Sequence, residues 1–140
     1  MRIASTQAKF GLPEVQIGLI PGYGGTPRLP RLIGRGAALQ LILPGDTIDG
    51  AEAARLGLAN AVVEPDALPG AARALAATML KNAPIAMARA IEAVDVGLDA
   101  TLEDGLRLEA RLFGSLESTA DMREGTKAFL EKRPPGFRGA

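Results

Sequence analysis

Glycine and proline punctuate the first 63 residues so densely that no regular element there can run long. Between Gly11, Pro13, Gly18, Pro21-Gly22, Gly24-Gly25, Pro27 and Pro30 only short uninterrupted stretches remain. Ala8-Lys9-Phe10 and Val15-Gln16-Ile17 are expected to be short strands or extended pieces, because glycine weakens a strand interior and proline cannot donate to its ladder. Helical signals begin at Gly22-Tyr23-Gly24-Gly25-Thr26-Pro27, where Thr26 resembles an N-cap with proline at N1. Gly34 or Gly36 should then part a first short helix from a second over Ala37 to Leu43, which Pro44-Gly45 closes. Asp49-Gly50-Ala51-Glu52 has the spacing of a capping box and leads into Ala53, Ala54 and Leu56, with Gly57 placed to end that helix. Ala61-Val62-Val63 reads as one more short strand.

Beyond Pro65-Asp66 the regime changes. Leu68, Ala72, Leu75 and Met79 lie on one helical stripe, and Met87, Ile91, Val94 and Leu98 on the next. Pro84 is expected to start that second helix and Gly97 to end it. Thr101-Leu102-Glu103-Asp104 again has capping-box spacing, and the helix it opens pairs Glu103 with Arg107 and aligns Leu102, Leu106, Ala110 and Phe113. A final helix from about Asp121 should reach Lys132, where Pro134-Pro135-Gly136 breaks it and leaves a loosely held tail, Phe137 to Ala140. Ala71 to Leu80 is apolar on more than one face, so self-association is expected on pattern alone. No internal repeat and no low-complexity tract is present.

Charge and composition narrow the chemistry. The 140 residues, enough for one ordinary domain, carry 16 basic and 16 acidic side chains, which gives no electrostatic footprint for nucleic acid. The absence of both cysteine and histidine removes disulfides, cysteine nucleophiles, Ser-His-Asp triads and the commonest zinc or haem ligands, so no metal site is expected. Apolar runs such as Ala37 to Leu43 are far too short to span a membrane, and the opening MRIASTQAKF has no signal-peptide core. A soluble cytoplasmic protein is the expectation.

What chemistry remains concentrates between Phe10 and Gly25. Glu14 stands alone among Leu, Pro, Val and Ile, and a carboxylate in apolar company is the kind of group that can pass a proton. It can equally be a surface or salt-bridged carboxylate in a turn. Gly22 to Gly25 could present backbone N–H groups at a helix start to a water or an anionic oxygen, or simply make a tight turn. The run is not a dinucleotide fingerprint, since Pro27 occupies the place of the third glycine, and no phosphate-loop lysine follows. Near the C-terminus Lys127, Lys132, Arg133 and Arg138, interleaved with Phe129 and Phe137, could grip an anionic ligand or form a solvated helix end.

Three segments taken together resemble the enoyl-CoA hydratase/isomerase (crotonase) superfamily: FGLPEVQIGLIPGYGGTPRLPR at Phe10 to Arg31, LPGDTIDGAEAARLGLANAVV at Leu43 to Val63, and REGTKAFLEKRPPGF at Arg123 to Phe137. The resemblance covers essentially the whole chain but only the C-terminal half of a family member. It is compatible with a fragment of a longer hydratase and with a short protein. It implies the α/β crotonase-like (ClpP/crotonase) fold, of which this part is expected to be mostly helical with a few short strands and an incomplete core. Residues 1–63 would be the end of the spiral core with an active-site segment, and residues 64–140 a helical trimerisation region.

The resemblance further implies that Glu14 is one of two glutamates that add water across the double bond of a 2-enoyl-CoA thioester. Pro21, Gly22 and Tyr23 match substrate-binding positions, with Gly22 near the catalytic water. Phe129 and Lys132 match positions that approach the adenine and phosphates of CoA. No cofactor is implied, CoA being part of the substrate, and the expected partners are an acyl-CoA thioester and further copies of the chain, as a trimer or dimer of trimers. The first glutamate and both oxyanion-hole donors have no counterpart in these residues, so the chain alone is expected to be inactive. An isomerase-type member and a non-catalytic oligomerisation module are the alternatives, glutamate at position 14 favouring the hydratase.

Overall fold

The computed structural model describes all 140 residues, and 60% of the chain is helical. Two compact units divide it, Met1–Ala74 and Leu75–Ala140, with the boundary inside a helix.

In the first unit the glycines and prolines set the lengths, as their density requires. Strand β1 (Ile3–Ser5) pairs in parallel with β4 (Ala61–Val63), and β2 (Lys9–Gly11) pairs antiparallel with β3 (Thr47–Asp49). Three helices lie between them in sequence: α1 (Gly25–Ile33), α2 (Arg35–Ile42) and α3 (Gly50–Arg55). Leu29 of α1 packs with Ala38, Leu41 and Ile42 of α2, and Leu12, Val15, Ile33 and Leu56 close around them. A second small cluster gathers Ala4, Ala53 and Ala59. Ile48 and Leu58 touch both clusters and so tie the two sheets to the helices.

Local expectations were met in part. Asp49 caps α3 by accepting the Glu52 N–H at 2.9 Å, Gly57 takes a left-handed φ of 80° just past its end, and Gly34 parts α1 from α2. Val15-Gln16-Ile17, however, is not extended: Pro13–Ile17 is a 3-10 helix. Pro13 supplies the fixed φ of a helical first turn, and Gly18 at φ 78° ends it, its N–H and that of Leu19 bonding back to Val15 and Glu14 carbonyls. Nor is Thr26 the cap of α1; Gly24 holds that place at φ 82°, because the left-handed turn there needs no side chain.

From Leu68 to Leu130 the chain forms four helices joined by short links. Helix α4 (Leu68–Met79) leads into α5 (Pro84–Asp99), α6 (Leu102–Ser115) and α7 (Ala120–Leu130). Helices α5 and α6 form a hairpin around a two-residue link, and they approach closely where a Cβ on Gly105 would sit 3.6 Å from the Gly97 Cα. Gly97 therefore does not end α5, which runs on to Asp99; the glycine serves the packing instead. Thr101 and Thr119 cap α6 and α7, and Glu103 pairs with Arg107 as its spacing requires. Ile91, Val94, Leu98, Leu102, Leu106 and Phe113 are each more than half exposed, although their periodicity is that of a buried stripe.

The tail also departs from expectation. Phe137 lies against Gly125, and the buried Asp121 carboxylate (3% exposed) accepts the Arg138 and Gly139 N–H groups at 2.7 and 2.8 Å. The Asp121 N–H in turn reaches the Ala140 carbonyl at 3.0 Å. A buried carboxylate needs such donors, and the last residues supply them.

Candidate functional site

The 3-10 turn fixes Glu14 in a rigid setting. Gln16 hooks that turn onto the end of α2, its Nε2 donating to the Pro44 and Gly45 carbonyls at 3.3 and 3.0 Å. Leu12 and Val15, on either side of Glu14, are part of the apolar packing around α1 and α2. The Glu14 side chain is consequently half-buried, and its Oε2 is shut off from solvent without any hydrogen-bond donor. Buried carboxylate oxygens are nearly always satisfied, so an orphan of this kind marks a place where something else is meant to donate.

The segment that follows is drawn tight against it. Pro21 is the one large fully buried side chain, and a Cβ on Gly25 would lie 2.7 Å from the Pro21 Cβ and 3.2 Å from both Leu12 methyl carbons. Only glycine allows this approach, which brings the start of α1 against the residue two before Glu14. Gly22 is exposed, and Tyr23 stands almost wholly in solvent at 98%. Arg28 folds back to hold the turn, donating from Nη2 to the Tyr23 carbonyl at 2.6 Å. No side chain caps the start of α1. An apolar cavity of about 360 Å³ adjoins this framework, sharing Leu12 and Gly25 with it, but neither Glu14 nor Tyr23 lines it.

In the second unit the end of α7 gathers another group of the expected residues. Phe129 is 83% exposed and Lys132 exposed, the latter at a left-handed φ of 53°. Arg133 is not available to a ligand in the same way: its guanidinium takes both Glu124 oxygens, at 2.6 and 2.9 Å, and a Glu131 oxygen at 2.7 Å. Those carboxylates push the guanidinium above its ordinary range, Glu124 foremost. Glu124 is held down to about 2 by the Arg133 hydrogen bonds first and by the Gly136 N–H second. The pairing of Arg133 with Glu124 across a turn and a half of helix and a bend was not legible from the run of cations, which gave all four the same weight. Nor was the burial of Asp121.

No group of three or more acidic, histidine or cysteine side chains is placed to hold a metal ion, and no helix is long and apolar enough to cross a membrane.

Comparison with known proteins agrees over the entire chain. A sequence model of the enoyl-CoA hydratase/isomerase family matches residues 1–140. A short-chain-enoyl-CoA hydratase of Clostridium acetobutylicum is 44% identical over 139 residues, covering 99% of this chain and 53% of its own length. An (E)-benzylidenesuccinyl-CoA hydratase of Thauera aromatica is also 44% identical, over 140 residues and 55% of its length. The crystal structure of an enoyl-CoA hydratase from Bacillus anthracis superposes with a TM-score of 0.96 at 41% identity, over 100% of this chain and 54% of that one. The chain thus spans about half the length of these relatives and corresponds to their C-terminal half. On the family match, the identities and the fold, the chain belongs to the enoyl-CoA hydratase/isomerase family.

Proposed function

We propose that these residues supply the C-terminal half of an active site that hydrates 2-enoyl-CoA thioesters, with Glu14 as the proton-transfer group. The observation that carries this reading is the Glu14 Oε2, buried and without a donor, on a turn whose end is closed by the Gly18 and Leu19 N–H bonds to the Val15 and Glu14 carbonyls. Water adds across the double bond, its oxygen to C3 and a proton to C2. In this assignment Glu14 exchanges the C2 proton, while a second carboxylate takes the proton of the attacking water. Pro21 and Gly22 shape the turn beside that water, and Tyr23 borders the substrate. Phe129 and Lys132 meet the adenine and phosphates of CoA.

The second carboxylate and the two N–H groups that would stabilise the enolate-like oxygen lie outside these 140 residues. The loss of one such donor costs roughly 100- to 1,000-fold in rate, so half a site should be catalytically silent. Two relatives of equal identity act, by name, on a short-chain and on a benzylidenesuccinyl thioester. Their common element is the CoA thioester, which is the part of the substrate these residues are assigned to hold. The uncovered apolar stripe of α5 and α6 supports a further part of the reading, association with other copies of the chain as a trimer or dimer of trimers.

The test is hydration of crotonyl-CoA by the chain alone and after mixing with the N-terminal half of one of the hydratases above. Negligible turnover alone and restored turnover on mixing are expected. Ordinary enzymatic rates from the chain alone, or none after a complex has formed, would contradict the proposal.

A further inference from the structure

Lys132 is the only residue other than glycine with a positive φ, and its position explains why that is unusual. The end of α7 is a complete Schellman turn: the Lys132 N–H bonds to the Phe129 carbonyl at 3.2 Å and the Arg133 N–H to the Ala128 carbonyl at 3.0 Å. In such a turn the left-handed place belongs by preference to glycine, because any Cβ there crowds the following carbonyl. This chain has 17 glycines and uses six of them at positive φ elsewhere, yet puts a lysine here.

The strain must be held by something, and the neighbouring residue holds it. In most Schellman turns an apolar contact joins the residue after the left-handed one to the last helical turn. Here that residue is Arg133, and a two-pronged ion pair to Glu124 replaces the apolar contact. Glu124 is itself fixed from the far side by the Gly136 N–H at 2.9 Å, so the Pro134–Gly136 bend and the helix grip it together. The same turn bonds the Ala128 and Phe129 carbonyls internally, which lessens the negative character of the helix end toward an approaching anion.

We infer that Glu124 is a positioning residue: through Arg133 it holds Lys132 in the left-handed conformation that presents its ammonium beside exposed Phe129 to an anionic ligand. This rests on the assignment of Phe129 and Lys132 to CoA in the proposed function and adds the device that aims them. A lysine at an unstrained helical position would swing on a frayed end; the clamp removes that freedom before the ligand arrives.

Binding of CoA by the chain, measured by titration calorimetry, tests it together with NMR couplings and shifts that report the Lys132 backbone conformation. Glu124→Gln should shift Lys132 out of the left-handed region and weaken CoA binding by roughly five- to tenfold, and Lys132→Gly should weaken it by roughly ten- to a hundredfold, the weight of one charge-assisted contact. Lys132→Gly should also raise the thermal midpoint, since glycine relieves the strain. The decisive arm is the double variant: once Lys132 is glycine, Glu124→Gln should cost no further affinity. A further loss in the double variant, or wild-type affinity and an unchanged Lys132 backbone in Glu124→Gln, would overturn the inference while leaving the CoA assignment standing. Absence of CoA binding by the unaltered chain would instead overturn the assignment of Lys132 to CoA, and this inference with it.

Discussion

Pro21 and Gly25 stand so close that a single added methyl group on Gly25 would lie 2.7 Å from the Pro21 Cβ. Pro21 is fully buried and its ring cannot swing aside, so the turn carrying Gly22 and Tyr23 is locked to the start of α1. Gly25→Ala should therefore destabilise the fold by about 1–3 kcal/mol, as overpacking does. Gly70→Ala, in α4 with open space around it, should be neutral or stabilise by up to about 1 kcal/mol. Urea unfolding of the two variants checks the contrast; equal effects would mean the close approach is not real.

Acid should loosen the tail before it melts the helices. The carboxyl of Glu124 is held from its ordinary value of 4.5 down to about 2, so its stabilising pairing is fully present above about 4.5 and is lost as pH falls toward 2. Protection of the Gly136 amide against exchange, relative to the intrinsic rate at each pH, should fall through this window ahead of that of the α5 and α6 amides, since its N–H bonds to that carboxylate. Glu124→Gln should already show the low protection at neutral pH and little further loss of protection on acidification.

Asp121 ties the other end of the tail. Asp121→Ala removes the acceptor of two backbone N–H groups and should cost about 2–3 kcal/mol, with protease cleavage after Arg138 becoming rapid. Asp121→Asn keeps one acceptor but turns an N–H toward the other donor, so it should fall between the parent and alanine. Limited trypsin digestion separates the three.

The apolar stripe of α5 and α6 should govern assembly. Phe113→Glu, placed where a side chain is 78% exposed, should shift the chain to a smaller species in sedimentation velocity without loss of helix content. An unchanged species would remove α6 from the proposed interface.

Much of this was open to reading from the residues, and the failures share a cause. Capping at Asp49 and Thr101, the parting of α1 from α2 and the last short strand depend on neighbours a few residues apart, which sequence displays directly. The 3-10 turn over Pro13–Ile17 does not show in the residues because Val15 and Ile17 favour strands and are held helical by Pro13, Gly18 and the Gln16 bonds to Pro44 and Gly45. The tail was misjudged because the donors and the carboxylate that bind it are 17 and 18 residues apart. At the site, Glu14 stood out by its apolar company, whereas the Glu124–Arg133 clamp looked like ordinary helix-end charge. Its partners are nine residues apart and meet only because the chain turns back at Lys132.

In the proposed reaction the Glu14 carboxylate moves a proton of the substrate. The most direct measurement is kcat/KM for crotonyl-CoA hydration by the chain mixed with a hydratase N-terminal half, with and without Glu14→Gln. Removal of a general acid–base group should lower it by roughly 100- to 10,000-fold with KM little changed. A Glu14→Gln assembly that hydrates crotonyl-CoA as fast as the parent would contradict the account.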